Sequence, residues 1–351
     1  MSQKNLNVPN KTHKRLLDKL KDKRTFQIYQ QFEAQLDINT NFIVAVSGGP
    51  DSLALSFLAK IYSIKKSLNA KYFIVDHKLR KDSTSEAKFV KKKLKDYSID
   101  LNILTWYGKK PNKNIQSVAR NKRYKLLTEK AKKFKIKNIL LGHHLDDLFE
   151  NFFIRILRGS GLNGLVSLDK ETQNNQVNLI RPLLKFEKKD LKYVTINYFK
   201  TFIKDPSNKN QKFLRVRVRK YRKHMEKEGL DTGKIIKTVN NLLSANKAIN
   251  FYKNKALYKH VSFLSEHKCL INNKMFSEEA GEIIFKSFSD VLSLISGTYY
   301  PPRSKKILNL IERLRKNKLS KSTLGGCVIE REDNFISISK EQKTAKVSLR
   351  L

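Results

Sequence analysis

Between residues 25 and 206 the chain alternates short apolar runs with amphipathic stretches of helical length. "FIVAV" (42–46), "KYFIVD" (71–76), "DLNILTW" (100–106) and "KNILLG" (137–142) read as strands. "STSEAKFVKKKLKDY", with Ser83 or Thr84 as N-cap and Glu86 in the first turn, and "IQSVARNKRYKLLTEKAKKF" read as helices between them. Strands that alternate with helices pair in parallel, because a parallel neighbour is reached only by a crossover lying on the face of the sheet. The expected fold class is therefore α/β, a doubly wound parallel sheet. Ligands of such a sheet bind beyond the carboxyl ends of its strands. Three of those ends carry polar, reactive side chains: Ser47 to Ser52, then Asp76 and His77, then Gly142, His143 and His144.

The first of these ends is the most specific. In "FIVAVSGGPDSLALSFLAK" the apolar run breaks at Ser47-Gly48-Gly49-Pro50-Asp51-Ser52 and resumes at once with helical spacing. A strand that turns this tightly into a helix aims backbone N–H groups and the positive end of the helix dipole at one point, which suits an anion. Gly48 and Gly49 let the backbone approach phosphate closely, and the Ser47 and Ser52 hydroxyls are donors. Asp51 at the helix start caps the helix or helps to hold a magnesium ion. Two other phosphate motifs do not apply. The chain has no G-x-x-x-x-G-K-[ST], and its one G-x-G-x-x-G (159–164) follows a predicted helix, "LFENFFIRILR", where a dinucleotide fingerprint needs a strand.

Charge narrows the partner. Lys and Arg total 73 against 32 Asp and Glu, a formal net charge of +41 across 351 residues. An excess of that size repels itself and favours a polyanion such as nucleic acid, even where a Lys-rich genome accounts for part of it. Cys269 and Cys327 form no Cys-x-x-Cys pair, which disfavours a zinc site, an iron–sulfur cluster and a disulfide framework. No apolar run reaches the ~20 residues of a membrane span, and the basic N-terminus is followed by no apolar segment, so a cytoplasmic address and no membrane partner are expected.

Beyond "KDPSN" (204–208) the character changes. "KFLRVRVRKYRKHMEKEG" is strongly basic, a helical stretch follows over roughly 234–264, and "GGCVIEREDNFISISK" reads as a hairpin turning near Asp333 and Asn334. The expected division is a basic extension (1–24), a nucleotide domain (25–222), a helical linker (223–265) and a small α/β nucleic-acid-binding domain (266–351).

"SGGPDS" resembles the S-G-G-x-D-S pyrophosphate loop of the ATP pyrophosphatases, or PP-loop enzymes. "VDHKLRKDSTSEAKFV", "QSVARNKRYKLL", "LLGHHLDDLFENFFIRILRGSGLNGL", "IRPLL" and "KDPSNKNQKFLR" resemble, in order, segments of the tRNA(Ile)-lysidine synthases. "STLGGCVIERED" is similar to part of that family's C-terminal domain. The resemblance implies an ATP-dependent ligase that adenylates the wobble cytidine of the CAU-anticodon isoleucine tRNA and then joins free L-lysine to it. Its cofactors would be ATP and Mg2+, with the β,γ-pyrophosphate on the 47–52 loop and the adenosine half near Asp76 and His77. Two rivals are a tRNA-thiolating PP-loop enzyme, disfavoured by the cysteines, and a non-catalytic basic tRNA-binding protein.

The remaining candidates follow from position. Adjacent His143 and His144 diverge on a strand, so one of them faces the α-phosphate. Asp146 and Glu150 are four apart on an expected helix and, with Asp147, form a dense acid cluster suited to magnesium, at Asp51 and Asp147, or to the ammonium groups of lysine. Arg120 and Arg123 lie one turn apart and suit phosphate of ATP or of the anticodon stem. Arg215, Arg217 and Arg219 would share one face of a strand or spread around a helix, and suit phosphate neutralisation. The family has Asn where this chain has Val216, which removes any polar contact at that position.

Overall fold

The computed structural model describes residues 11–108, 110–111, 115–174, 177–205, 210–298 and 301–342. The first ten residues of the basic extension, and 206–209 within the "KDPSNKNQKFLR" segment, lie outside the described residues. The chain divides into two compact units, Met1–Val239 and Asn240–Leu351.

The first unit opens with α1 (Lys11–Leu17), a 3-10 turn and α2 (Lys23–Ala34), whose first turn is capped by the Asp22 carboxylate accepting from the Thr25 N–H at 2.9 Å. Then β1 (Phe42–Val46), α3 (Pro50–Lys65), β2 (Ala70–Asp76), α4 (Ser83–Lys95), β3 (Leu101–Thr105), α5 (Ile115–Lys133) and β4 (Asn138–Leu140) follow in strict alternation. After them come α6 (Leu145–Leu157), the short α7 (Leu162–Leu165), the pair β5 (Glu171–Asn174) and β6 (Val177–Ile180), α8 (Lys188–Phe199) and α9 (Leu214–Lys227). The strand order is β3-β2-β1-β4-β6-β5, parallel except for the edge pair β5/β6.

Why "FIVAV" is apolar without alternation is now plain. Phe42, Val44 and Val46 pack into the core on one face of the sheet, with Phe57 and Tyr62 of α3, whereas Ile43 packs into the core on the other, with Leu127 and Ala131 of α5. A strand buried on both faces needs no polar side. The chain winds β1–β2–β3 to one side and then crosses to β4 on the other. The crevice where a doubly wound sheet takes ligand therefore opens between the ends of β1 and β4.

The second unit contains most of α10 (Thr232–His260), followed by β7 (Val261–Ser265), β8 (Lys268–Asn272), the short α11 (Met275–Glu278), α12 (Gly281–Ser296), α13 (Ser304–Arg315), β9 (Lys321–Leu324), β10 (Cys327–Glu332) and β11 (Phe335–Lys340). Its antiparallel sheet has the order β7-β8-β11-β10-β9. The expected hairpin near Asp333 is present, with Glu332 opposite Phe335 and Asp333 at φ +37°. The helix expected to run to 264 stops at His260 instead. Val261–Ser265 pairs with β8, and sheet pairing across a tight turn overrides helical continuation. Cys269 and Cys327 are free, buried thiols in this core.

Candidate active site

The turn after β1 is held from three sides. Gly48 has φ +81°, a conformation that favours glycine, and a Cβ there would lie 2.7 Å from Cγ2 of Val90. The Gly48 carbonyl accepts from the Ile203 N–H at 2.9 Å, and the Pro50 carbonyl from the Thr195 hydroxyl at 2.6 Å. Gly49 is the N-cap of α3 and Pro50 stands at its first position, so the N–H groups of Asp51 and Ser52 have no carbonyl upstream within the helix. Ser47 donates to the Ser52 hydroxyl from both its N–H and its side chain at 3.1 Å, and Ser52 donates on to the Gly49 carbonyl at 3.0 Å. Ser52 thus braces the loop from inside, and exposed Ser47 remains at its surface.

The end of β4 lies against this loop. Gly142 is packed so closely on the start of α3 that a Cβ would meet the Ser52 Cα at 3.3 Å and its N at 3.4 Å. That approach brings His143, His144 and the first turn of α6 beside Asp51. Asp51 is mostly buried, its Oδ1 has no hydrogen-bond partner, and burial pushes its carboxyl above the ordinary range against the pull of His144 and Lys188.

The two histidines diverge chemically as well as sterically. His144 is buried between Asp147, with Nδ1 2.8 Å from Oδ2, and Asp146, with Nε2 3.6 Å from Oδ2. Burial opposes its charge, but the two carboxylates win and hold it protonated up to about 10. Burial draws His143 down to about 3; Asp147 opposes this, and Arg120, Arg181 and Arg123 reinforce it, so this ring is neutral with a free Nδ1. His77 is likewise neutral, lowered to about 4 by burial with Arg123 adding to it, and meets Trp106 edge-on at 6.0 Å.

Three expectations need correction. The Asp76 carboxylate is not open to a nucleotide: it accepts from the Lys78 N–H at 2.9 Å, the Ser83 hydroxyl at 2.8 Å and the Thr84 hydroxyl at 2.6 Å. Ser83 and Thr84, read as N-caps, spend their hydroxyls there, and Asp82 takes the cap position of α4. Glu150 is not a free acid either. It is 1% exposed, accepts from Arg219 and pairs with Nε of Arg215 at 3.1 Å. Of the two arrangements left open for 215, 217 and 219, the helix is the one present. They lie on α9, where Arg215 and Arg219, four apart, face Glu150 and Arg217 turns away to the Gln211 and Lys212 carbonyls. One turn further, Arg222 donates to Asp146 at 2.5 Å and lies over the Phe149 ring. The arginines of one face of α9 thus meet the acids of one face of α6.

Arg120 and Arg123 lie over the Tyr124 ring on the third turn of α5, with Nε of Arg123 buried and without a partner. Among the described residues no trio of His, Cys, Asp or Glu is placed to hold a metal. A magnesium ion needs none, since it takes one or two carboxylates and fills the rest of its shell with phosphate oxygens and water. The unpartnered Asp51 oxygen, with Asp147 close enough to act on it, fits that mode.

A phosphate-shaped turn at the switch point of a parallel sheet suits an anionic ligand, and similarity to known proteins says more. Residues 19–223 match a family model described as a PP-loop domain. The chain is 33% identical over 310 residues to the tRNA(Ile)-lysidine synthase of Orientia tsutsugamushi (strain Boryong), covering 86% of this chain and 70% of that protein. The chain belongs to the tRNA(Ile)-lysidine synthase family. Another member, from Wolbachia sp. subsp. Brugia malayi (strain TRS), is 32% identical over 317 residues, 89% of this chain and 74% of that one. Among solved structures, the U34-tRNA thiolase NcsA of Methanococcus maripaludis, solved with its 4Fe–4S cluster, is similar in fold. Its TM-score is 0.56 at 20% identity, over 64% of this chain and 81% of that one.

Three residues of this family member escaped the sequence reading. Arg181, at the carboxyl end of β6, is 4% exposed with no carboxylate in hydrogen-bond reach among its described partners; it donates to the Asp169 carbonyl at 2.7 Å and the Thr172 hydroxyl at 3.1 Å. Lys188 opens α8 within electrostatic reach of Asp51, and Arg222 anchors Asp146. For Arg181 the signal was available, a cation at a strand's carboxyl end inside "IRPLL". For Lys188 and Arg222 the local sequence holds none.

Proposed function

We propose that this chain ligates free L-lysine to C2 of the wobble cytidine of the CAU-anticodon isoleucine tRNA, changing its decoding from AUG to AUA. The observation that carries this is the Ser47–Ser52 turn, facing the end of β4 at the switch point, in a chain of this family. The β,γ-pyrophosphate of ATP occupies the cradle formed by the Gly49, Asp51 and Ser52 N–H groups and the Ser47 hydroxyl. Magnesium, held by Asp51 with Asp147 beside it, would supply charge neutralisation on those phosphates.

In the first step O2 of the cytidine attacks the α-phosphorus and pyrophosphate leaves. In the second, the ε-amine of lysine attacks C2, and O2 departs with AMP as the amine loses its proton. Neutral His143, within electrostatic reach of Arg120, Arg123 and Arg181, would accept the proton once bound phosphate offsets those cations and raises its affinity for it. The arginines stabilise charge on the transferred phosphoryl group. Asp146 and Asp147, already paired with His144 and Arg222, offer their remaining carboxylate lone pairs to the lysine ammonium groups, and Glu150 serves them indirectly by holding Arg215 and Arg219 in place for phosphate. His77 borders the adenosine, and Asp76 shapes the loop that carries it. Residues 266–351 act as a tRNA-binding element.

The test is mass analysis of the isoleucine tRNA after incubation with ATP, magnesium and lysine. A gain of one lysine less one water at the wobble base is expected, with one AMP and one pyrophosphate released. Pyrophosphate release without tRNA, or a thiolated product, would overturn the reading.

A further inference from the structure

The part of α10 within the second unit has two opposed faces. On one, Ala256 and His260 are buried, Leu257 packs on the core, and Lys253 reaches Asp290 of α12. At about 100° per residue the opposite side carries Phe251, Lys255 and Tyr258, with Lys247 one turn before and Tyr252 at the flank. Buried neighbours would be expected around three aromatic rings, yet Tyr258 is 94% exposed, Phe251 66% and Tyr252 57%. Phe251 and Tyr252 stand edge to face with centroids 5.4 Å apart. The whole of α10 contains six lysines and no Asp or Glu, and among the described residues neither Lys247 nor Lys255 enters an ion pair.

We infer that this face of α10 is an RNA-docking surface, on which Phe251, Tyr252 and Tyr258 stack unpaired bases and Lys247 and Lys255 meet the adjoining phosphates. It deepens the tRNA reading above and rests on it. Rings interleaved with cations match a strand whose bases are splayed from a charged backbone, because stacking uses the π-faces and leaves the phosphates to the lysines. The same face suits a second copy of this chain poorly. Two copies would set Lys247 and Lys255 against their equivalents with no acid on the face to separate them.

The experiment measures binding of the CAU-anticodon isoleucine tRNA by fluorescence anisotropy over a series of salt concentrations. Phe251→Gln with Tyr258→Gln should weaken binding about 10²-fold, roughly tenfold per ring, at unchanged thermal midpoint. Tyr258→Trp should bind as wild type, and its exposed indole should be quenched by the tRNA; the single native Trp106 is buried and makes a quiet background. Lys255→Gln should lower the slope of log K against log salt by about 1. Wild-type affinity in the double variant, or an unquenched Tyr258→Trp, overturns the proposal. So does a wild-type dimer that the double variant turns to monomer with RNA affinity intact. Wild-type protein that binds the tRNA but forms no lysidine would instead overturn the reaction assigned above and leave the docking face standing.

Discussion

Nδ1 of His144 lies 2.8 Å from Oδ2 of Asp147, and the same oxygen accepts the His144 backbone N–H at 3.1 Å. One carboxylate thus closes the first turn of α6 and keeps the ring charged, with Asp146 completing the clamp. Its neighbour His143 sits among arginines and is neutral. Two adjacent histidines therefore carry opposite linkage to pH.

For His144 the folded pKa, about 10, lies above the unfolded 6.5. Its contribution is complete below 6.5 and is lost as pH rises to about 10, at a slope of up to about 1.4 kcal/mol per pH unit. For His143, folded at about 3, the unfolded chain binds the proton first, so stability falls as pH drops from 6.5 toward 3. Denaturant midpoints of the ligand-free protein should therefore peak near neutrality. His144→Gln should flatten the alkaline limb and, because Asp146 and Asp147 then lose the cation that holds their carboxyls down, also shift the acid limb. His143→Gln should leave the alkaline limb unchanged, and an unaltered alkaline limb in His144→Gln would contradict the clamp.

Gly48 and Gly49 should respond differently to alanine. At Gly48 a positive φ costs about 1–2 kcal/mol and the clash with Val90 adds to it, so the variant should melt earlier and lose ATP binding. At Gly49 a Cβ meets nothing closer than the Ser47 Oγ at 3.9 Å, so the fold should survive. Any ATP defect there then reports phosphate approach. Thermal melts with and without ATP read both effects.

Asp51→Asn removes a charge that burial already opposes. The ligand-free protein should become more stable by about 1 kcal/mol, while adenylation of tRNA falls by ~10² or more through loss of a charged contact to ATP or its metal. A lowered melting midpoint, or adenylation at the wild-type rate, would show that the carboxylate is structural.

The α6–α9 contact predicts a contrast along one helix. Arg219→Ala leaves the buried Glu150 with Arg215 alone and should cost about 2 kcal/mol, the buried-pair penalty reduced for partial exposure. Arg217→Ala, on the other side, should cost under about 0.5 kcal/mol. Urea midpoints of the two variants decide it.

Sequence alone determined the parallel sheet, the glycine turn after β1 and the helix that follows, because strand burial, positive φ and the start of α3 are set within a few residues. It also placed the 47–52 turn, His77 and His143 along one edge of the sheet, through the rule that the carboxyl ends of parallel strands share one edge. Which charges are spent was decided by the tertiary structure. Asp76 gives its oxygens to Ser83 and Thr84, Glu150 to arginines some 65 to 69 positions away, and His144 takes both neighbouring acids while His143 takes none. Local pattern records what a side chain is. Its protonation and availability depend on burial and on the nearest opposite charge, and in this fold those come from elements far apart in the chain.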